Sequence, residues 1–240
     1  ELNENAFGPD AVEYYQCFFR KADYDAHLDP AGVPLLDYRG HVGLQHNPIA
    51  IAQYGLGNFN LFKRSNQSER LRRATRAADW LQANLRSNPH GVPVWKHEFD
   101  WEYRDVLRAG WYSALAQGQG ISLLCRMHRE TGRDAYLECA REAFRSMLLP
   151  VEQGGVSLPE RSDGAWLEET IVDPPTHILN GFLWALWGVH DYAQATGEPA
   201  ARDLLERCVR TVKRHLEDFD CGFWSLYEQS GTKLPMLASG

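Results

Sequence analysis

Apolar and polar positions along the chain follow the same helical pattern three times. In each repeat, a segment that is apolar almost all the way round precedes one in which apolar residues recur every three or four positions, as in 71–85, 136–147 and 204–216. The first kind is typical of a helix buried on every side, and the second of an amphipathic helix. The pattern predicts three hairpins of an inner and an outer helix, over 47–85, 113–148 and 176–216.

Each predicted inner helix carries a side-chain amide at the same point, namely Gln53, Gln117 and Asn180. The first two lie 64 positions apart and the last two 63. This regular period indicates a tandem structural repeat. A buried amide has to be hydrogen-bonded, so these side chains either bond to each other or to nearby carbonyl groups, or bind a ligand.

Alternating inner and outer helices predict an all-α fold, an incomplete α/α toroid of about three tandem hairpins. Short polar links join each inner helix to its outer helix, whereas long segments, 29–46, 87–110 and 150–175, lead into the inner helices. The repeat places these segments on one rim, where long loops usually carry function. Residues 94–103 of the second segment alternate like a short β-hairpin. We expect a single domain over 1–240, with 1–46 as a leading segment.

The rim supplies most of the candidate functional residues. The segment 220–227 follows the third outer helix, so it returns to the same rim and brings Tyr227 with it. Each candidate also has a purely structural interpretation: adjacent acids suit a helix start, and a tyrosine is often a packed aromatic. The remaining candidates are polar or aromatic residues of the three long segments and the helix starts: Arg39, His46, Arg104, Trp111, Tyr112, Trp166, Glu168 and Glu169.

Composition narrows the classes of function. The net charge of -7 argues against nucleic-acid binding, and the many aromatic residues suit either core packing or a sugar-binding cleft. Five cysteines without a CxxC pair favour neither a disulfide framework nor a zinc site. The run 97–100 could ligate a metal, but charged loops look the same, so we expect none. No signal peptide or membrane span is visible, and the compartment stays open. The start at Glu1 indicates a piece of a longer protein.

Ordered sequence blocks resemble the C-terminal domain of the D-glucuronyl C5-epimerases, the heparan sulfate and heparosan enzymes. The similarity runs in order through 51–56, the distinctive block 110–122, 166–169, 175–182, and 220–222 with Tyr227. The resemblance implies an α/α barrel that inverts C5 of glucuronate units within a polysaccharide. It implies an acidic polysaccharide as the partner and no nicotinamide or other redox cofactor, and it leaves a homodimer open.

The resemblance also implies roles for particular residues. In the family, an acidic pair after a Trp and a Tyr after an Asp-x-Gly turn lie in the active site, and these match Glu168, Glu169 and Tyr227. Proton abstraction next to a carboxylate needs acid/base groups and donors that stabilise an enolate-like state. We assign Glu169 as one acid/base and Tyr227 as a substrate-binding or proton-relay group, with Glu168 as a third catalytic candidate. Gln117 and Asn180 then become candidates for substrate binding.

The chain departs from the family pattern at three places. It has Thr170 where the family usually has Tyr, and it lacks the family's Arg shortly after Tyr227. The family's Tyr-His block beyond that position is not found before Gly240. These departures indicate either a trimmed piece or a divergent member of the family.

Two other functions stay open on the sequence. One is a glycosidase or lyase of uronate polymers, because α/α toroids host several chemistries. A hydrolase needs two carboxylates about 5 to 10 Å apart, which Glu98 and Glu169 could supply. The other is a polysaccharide-binding domain that has lost its chemistry.

Overall fold

A computed structural model describes residues 1–8, 11–161 and 163–230 of the chain. Parts of three predicted regions therefore lie outside the described residues: positions 9–10 of the leading segment, Ser162 of the third long segment, and 231–240. The described residues form seven α-helices: α1 (Phe19–Ala22), α2 (Pro48–Ser65), α3 (Ser68–Asn84), α4 (Ala114–Thr131), α5 (Asp134–Leu148), α6 (Leu179–Thr196) and α7 (Pro199–His215). The pairs α2–α3, α4–α5 and α6–α7 are the three predicted hairpins, which are confirmed.

Local chemistry sets the ends of the first hairpin. The Asn47 side chain accepts hydrogen bonds from the backbone N–H groups of Ile49 and Ala50, and Pro48 occupies the first turn, where no N–H partner is needed. The helix ends at Ser65, and the next residue, Asn66, adopts a left-handed conformation with φ 55°. An asparagine tolerates that conformation better than most residues, so the turn into α3 follows within two residues.

The inner and outer helices differ in burial as the pattern predicted. In α2, every residue from Ile51 to Asn60 is buried, whereas α3 buries mainly one face, through Ala74, Ala77, Ala78 and Leu81. The outer helix α7 likewise buries Ala201, Leu204, Cys208 and Thr211. Leu216, expected to close the apolar face of the third outer helix, is 51% exposed in a short 3-10 turn instead, so the helical face ends one turn earlier.

In the part of the chain that the structure describes, eight short strands form four antiparallel pairs within or at the edge of the long segments. The pairs are β1 (Leu36–Asp37) with β2 (Leu44–Gln45), β3 (Arg86–Ser87) with β4 (Pro93–Val94), β5 (Trp101–Glu102) with β6 (Val106–Leu107), and β7 (Ser157–Pro159) with β8 (Ala165–Leu167). The predicted hairpin within 94–103 is wrong. Val94 pairs with Arg86, while Trp101 pairs with Leu107, so two ladders divide that stretch. The stretch does contain strand residues, but their pairing partners lie outside it, before residue 94 and after residue 103.

The chain divides into two compact units. Unit 1 comprises residues 1–85, 95–111 and 122–141, and unit 2 comprises 86–94, 112–121 and 142–240. In unit 1, Leu123 packs on Gly55 of α2, where no side chain separates them. In unit 2, Gly118 lies against Ala185 and Gly188, so α4 and α6 approach backbone to backbone. The prediction of a single domain over 1–240 stays a prediction.

None of the helices in the described ranges is long and apolar enough to cross a membrane.

Candidate functional site

A corner of unit 2 holds the two adjacent glutamates. They follow β8 directly, and the backbone of Glu168 is fixed on both sides of the residue. Its N–H donates to the Val156 carbonyl at 2.9 Å, and its carbonyl accepts from the Ala114 N–H at 2.9 Å. Ala114 is the first residue of α4. The end of the β7–β8 hairpin is therefore tied to the start of an inner helix.

The Glu169 carboxyl group is buried, although the residue as a whole is only half-buried. Its Oε2 atom has no hydrogen-bond partner among the described residues. The side chain rests on Gly181 in the first turn of α6, so closely that a Cβ atom there would overlap it. Burial, and then the charge of Glu168, raise the pKa of Glu169 from 4.5 to about 7. A carboxyl group of this kind can both accept and donate a proton near neutral pH.

Glu168 is in a different environment, although it is the neighbouring residue. Its side chain is buried, and Oε1 lies 2.5 Å from Nδ1 of His177. The backbone N–H of His177 donates to Oε2 at 3.2 Å. Both oxygens of Glu168 therefore have partners, whereas Oε2 of Glu169 has none among the described residues.

Tyr227 lies at the start of α6, as expected from its return along the chain. Its backbone carbonyl accepts from the N–H of Leu179, the first residue of that helix, at 3.1 Å. Burial and the charges of Glu169 and Glu228 raise the pKa of the Tyr227 hydroxyl well above 10. The phenol therefore stays protonated at neutral pH. The structure brings Glu168, Glu169 and Tyr227 together at one end of α6.

The repeated amides differ from one another in their surroundings. Gln117 is fully buried and has an interaction partner. In Asn180, which precedes Gly181, the Oδ1 atom is buried and finds no hydrogen-bond partner in the described part of the chain. The Oε1 atom of Gln53, in unit 1, is in the same condition. Of the two amides proposed for the ligand, Asn180 is the one next in the chain to Gly181, which the Glu169 side chain contacts.

Two further candidates belong to unit 2. Trp166 is only 5% exposed and packs against Phe182 and Phe219, so we assign it to the core rather than to a surface for sugar. Tyr112 is half-buried and hydrogen-bonds the side chain of Asn88.

Four candidates belong to unit 1. His46 lies 2.9 Å from Asp29, and Arg104 is 3.6 Å from Asp105. Arg39 is exposed at the β1–β2 turn.

The fourth, Trp111, stacks on His97 with the rings 3.6 Å apart and nearly parallel. His97, expected on an exposed rim, is instead fully buried.

The structure adds residues that the sequence did not single out. His177 lies within the block 175–182, and only its contact with Glu168 gives it a role. Gly181 lies within the block 175–182, but the sequence did not show its contact with Glu169, twelve positions earlier in the chain. Gln119 is fully buried, and neither of its amide atoms has a partner among the residues described. Its place next to Gly118 in α4 was visible in the sequence, whereas its lack of partners was not.

No group of three or more His, Cys, Asp or Glu side chains in the described ranges is arranged to hold a metal ion.

The chain is similar to known proteins in sequence. The sequence model of a family described as D-glucuronyl C5-epimerase C-terminus matches residues 89–239. A D-glucuronyl C5-epimerase of Caenorhabditis elegans is 34% identical over 167 residues, which cover 63% of this chain and 26% of that protein. An uncharacterized protein of Methanocaldococcus jannaschii is 30% identical over 141 residues, covering 58% of this chain and 46% of that protein. The chain thus spans less than half the length of either relative.

The chain is also similar to a solved structure. Cellobiose 2-epimerase from Spirochaeta thermophila superposes with a TM-score of 0.56 over 87% of this chain and 53% of its own, at 16% identity. At that identity the likeness speaks for the fold alone. Its fold is an α/α toroid, which confirms the predicted fold class.

Proposed function

Because this chain belongs to the family of D-glucuronyl C5-epimerase C-terminal domains, we propose that it forms part of a carbohydrate epimerase. The proposed reaction inverts C5 of D-glucuronate units in a glycosaminoglycan-like polysaccharide of the heparosan type, giving L-iduronate. The partner is then an acidic polysaccharide. Inversion changes no oxidation state, so the reaction requires no redox cofactor.

The buried Glu169 carboxyl group is the observation that carries this proposal. Removing the proton at C5, next to a carboxylate, needs a base whose pKa lies near the working pH. Glu169 has a pKa of about 7 because it is buried and beside another carboxylate. Its buried Oε2 atom has no hydrogen-bond partner among the described residues, so taking up a proton there breaks no existing hydrogen bond.

Tyr227 supplies the second group that inversion requires. The Glu169 carboxylate takes the C5 proton from one face of the ring, and the Tyr227 hydroxyl gives a proton to the other face. This leaves Glu169 protonated and Tyr227 as a phenolate, and a proton must return from the acid to the phenolate before the next turnover. The charge of Glu169 helps to raise the pKa of Tyr227, as expected for side chains that lie near each other. A short distance between them favours the return of the proton from Glu169 to Tyr227.

The start of α6 is suited to the substrate's own carboxylate. Ile178 provides no side-chain cap there, and a helix N-terminus favours an anion through its free N–H groups and its macrodipole. Stabilising that carboxylate lowers the cost of the enolate-like intermediate. The unpartnered Oδ1 of Asn180 could accept a hydrogen bond from a sugar hydroxyl.

Deuterium exchange tests the proposal directly. The protein is incubated in D2O with N-acetylheparosan and with its N-deacetylated, N-sulfated form, and deuterium at C5 and iduronate content are measured by NMR. We expect incorporation at C5 with the native protein, and a loss of at least about 100-fold in Glu169→Gln, since a neutral amide cannot take the proton. Glu152→Gln, at an exposed acid of the same unit, serves as the control and should match the native protein.

The other outcomes each point elsewhere. New reducing ends would indicate a glycosidase, and products that absorb as unsaturated uronates would indicate a lyase. Binding of the polymer without exchange, unchanged in Glu169→Gln, would indicate a polysaccharide-binding domain. Any of these results in place of exchange would overturn the proposal.

A further inference from the structure

The adjacent Glu168 and Glu169 present the same chemical group in two unlike environments. Glu169 has an oxygen without a partner in the part of the chain that is described, and it rests against the bare backbone of Gly181. Glu168 has partners on both oxygens. A carboxyl group that transfers protons has to approach the substrate. A carboxylate with hydrogen bonds to both oxygens would have to break those bonds to do so. This difference assigns separate tasks to the two carboxylates.

Glu168 is fixed at four atoms. Its backbone N–H and carbonyl are bonded to Val156 and Ala114, and its two carboxylate oxygens face the ring and the backbone N–H of His177. Breaking the side-chain bonds would leave a buried carboxylate unpaired, which is strongly unfavourable in general. The side chain is therefore held in one orientation.

His177 is itself held in a specific conformation. Its φ of +50° is unusual for a residue with a side chain, and it turns the backbone N–H and the ring Nδ1 toward the same carboxylate. The imidazole stacks on Trp166 with the rings 4.3 Å apart and 18° from parallel. Trp166 is buried against Phe182 of α6, so the core of unit 2 fixes the position of the ring.

We propose that Glu168 and His177 form a positioning pair that keeps a fixed negative charge beside Glu169, and that Glu168 takes no part in proton transfer to the substrate. The effect of the pair on the reaction rate rests on the proposed function, whereas the contact between Glu168 and His177 does not. Glu168 is thereby a positioning residue and not one of the acid/base groups.

The charge of Glu168 has a defined effect on its neighbour. Among the described residues, the titratable groups that act on Glu169 are its chain neighbour Glu168 and Tyr227 from the segment after α7, while α6 presents Gly181, which carries no charge. Repulsion between the two carboxylates adds to burial in raising the pKa of Glu169. Fixing Glu168 by His177 keeps that repulsion constant, so it keeps the base tuned to neutral pH.

Glu168→Gln tests the electrostatic part of the pair. Gln keeps an oxygen that can accept from the His177 N–H but removes the charge. We expect the pKa of Glu169, followed by NMR of 13C-labelled glutamate carboxyl groups, to fall by about one unit. The acid limb of the kcat/KM profile for C5 exchange should move by the same amount. Glu152→Gln removes an equal charge at an exposed position of unit 2 and should shift neither.

Variants of His177 test the geometric part. His177→Asn places an amide donor near the former Nδ1 and tolerates a left-handed backbone, so exchange should stay within about threefold of the native rate. His177→Ala removes the donor, and kcat should fall by about 10- to 100-fold with little change in KM. A merely structural histidine would give equal losses in both variants, together with a lower unfolding midpoint.

The NMR titration separates failure of this inference from failure of the proposed function. Absence of C5 exchange in the native protein would overturn the proposed function. The pKa of Glu169 in Glu168→Gln would still show whether the charge of Glu168 raises that pKa. An unchanged Glu169 pKa in that folded variant overturns the electrostatic role. Loss of exchange to the level of Glu169→Gln, with that pKa lowered as expected, would instead place Glu168 among the proton-transfer groups.

Discussion

At the scale of single residues, the Glu169 carboxyl group couples proton binding to folding. Its pKa is raised from 4.5 to about 7 in the folded chain, so the native state binds this proton more tightly than the unfolded state does. Its contribution to stability is fully present below pH 4.5 and is lost as the pH rises through 7. The same burial that suits the group for catalysis therefore destabilises the fold at alkaline pH.

Glu169→Gln removes this pH-dependent cost. Above about pH 8 we expect the variant to be more stable than the native protein by on the order of 3 kcal/mol, because the charged form no longer has to be buried. Below pH 4.5 the two should be equally stable. Urea unfolding followed by circular dichroism across this range measures the difference, and an equal gain at both ends would rule out burial of the charge as its cause. Glu152→Gln is the matched control.

At the scale of elements, α6 uses glycine for two separate purposes. At Gly181 the space is taken by the Glu169 side chain, whose carboxyl end can move, although its Cβ atom would lie 2.7 Å from the added one and has to shift slightly with the backbone. At Gly188 a Cβ would overlap the backbone of Gly118, coming within 2.6 Å of its carbonyl carbon, and a helix backbone cannot yield without moving α4. α6 thus has two close contacts at glycines about two turns apart, one with the proposed acid/base group and one with the backbone of α4.

The same substitution at these two glycines should affect stability and activity differently. Gly188→Ala should lower the free energy of unfolding by about 1 to 3 kcal/mol, as an overpacked core does. Gly181→Ala should lower stability by at most about 1 kcal/mol, because the gain in helix propensity offsets part of the adjustment around Glu169. It should nevertheless reduce C5 exchange at least tenfold, since the Glu169 carboxyl group is displaced. Equal stability loss in both variants would show that Gly181 is also needed for packing.

At the scale of the whole molecule, the two compact units contain buried titratable groups of opposite sign. Unit 2 contains Glu169, whose charged form is penalised at high pH. Unit 1 contains His97, which is fully buried and stacked on Trp111. Burial lowers the pKa of His97 from 6.5 to about 3. Stability from this group is present above pH 6.5 and is lost as the pH falls toward 3.

His97→Phe should therefore flatten the acid side of the stability profile. The ring can still stack on Trp111, but no proton has to be excluded from the core. Between about pH 6.5 and 4, the native protein should lose up to about 3 kcal/mol relative to the variant, measured by urea unfolding at several pH values. If the two profiles stay parallel over this range, His97 is not the group that titrates.

The helical hairpins could be predicted from the sequence, whereas the strand pairing could not. The hairpins over 47–85, 113–148 and 176–216 followed from periodicity, because a helix buries its own apolar stripe and the spacing records it locally. The β-hairpin expected within 94–103 was wrong, because strand pairing depends on partners outside the stretch.

The candidate site shows the same division. The predicted rim contained Glu168, Glu169 and Tyr227, and the resemblance to the epimerases implied catalytic roles for all three. Neither distinguished the environments of the two acids.

By itself, then, the sequence determined the six hairpin helices, their order, the repeat and the family. Only the tertiary structure decided which glutamate is bonded and which is left with an unpartnered oxygen, since His177 and Gly181 reach them from another element. The physical reason is that helix formation depends on contacts a few residues apart, whereas desolvation and hydrogen bonding at Glu169 depend on groups that folding brings together.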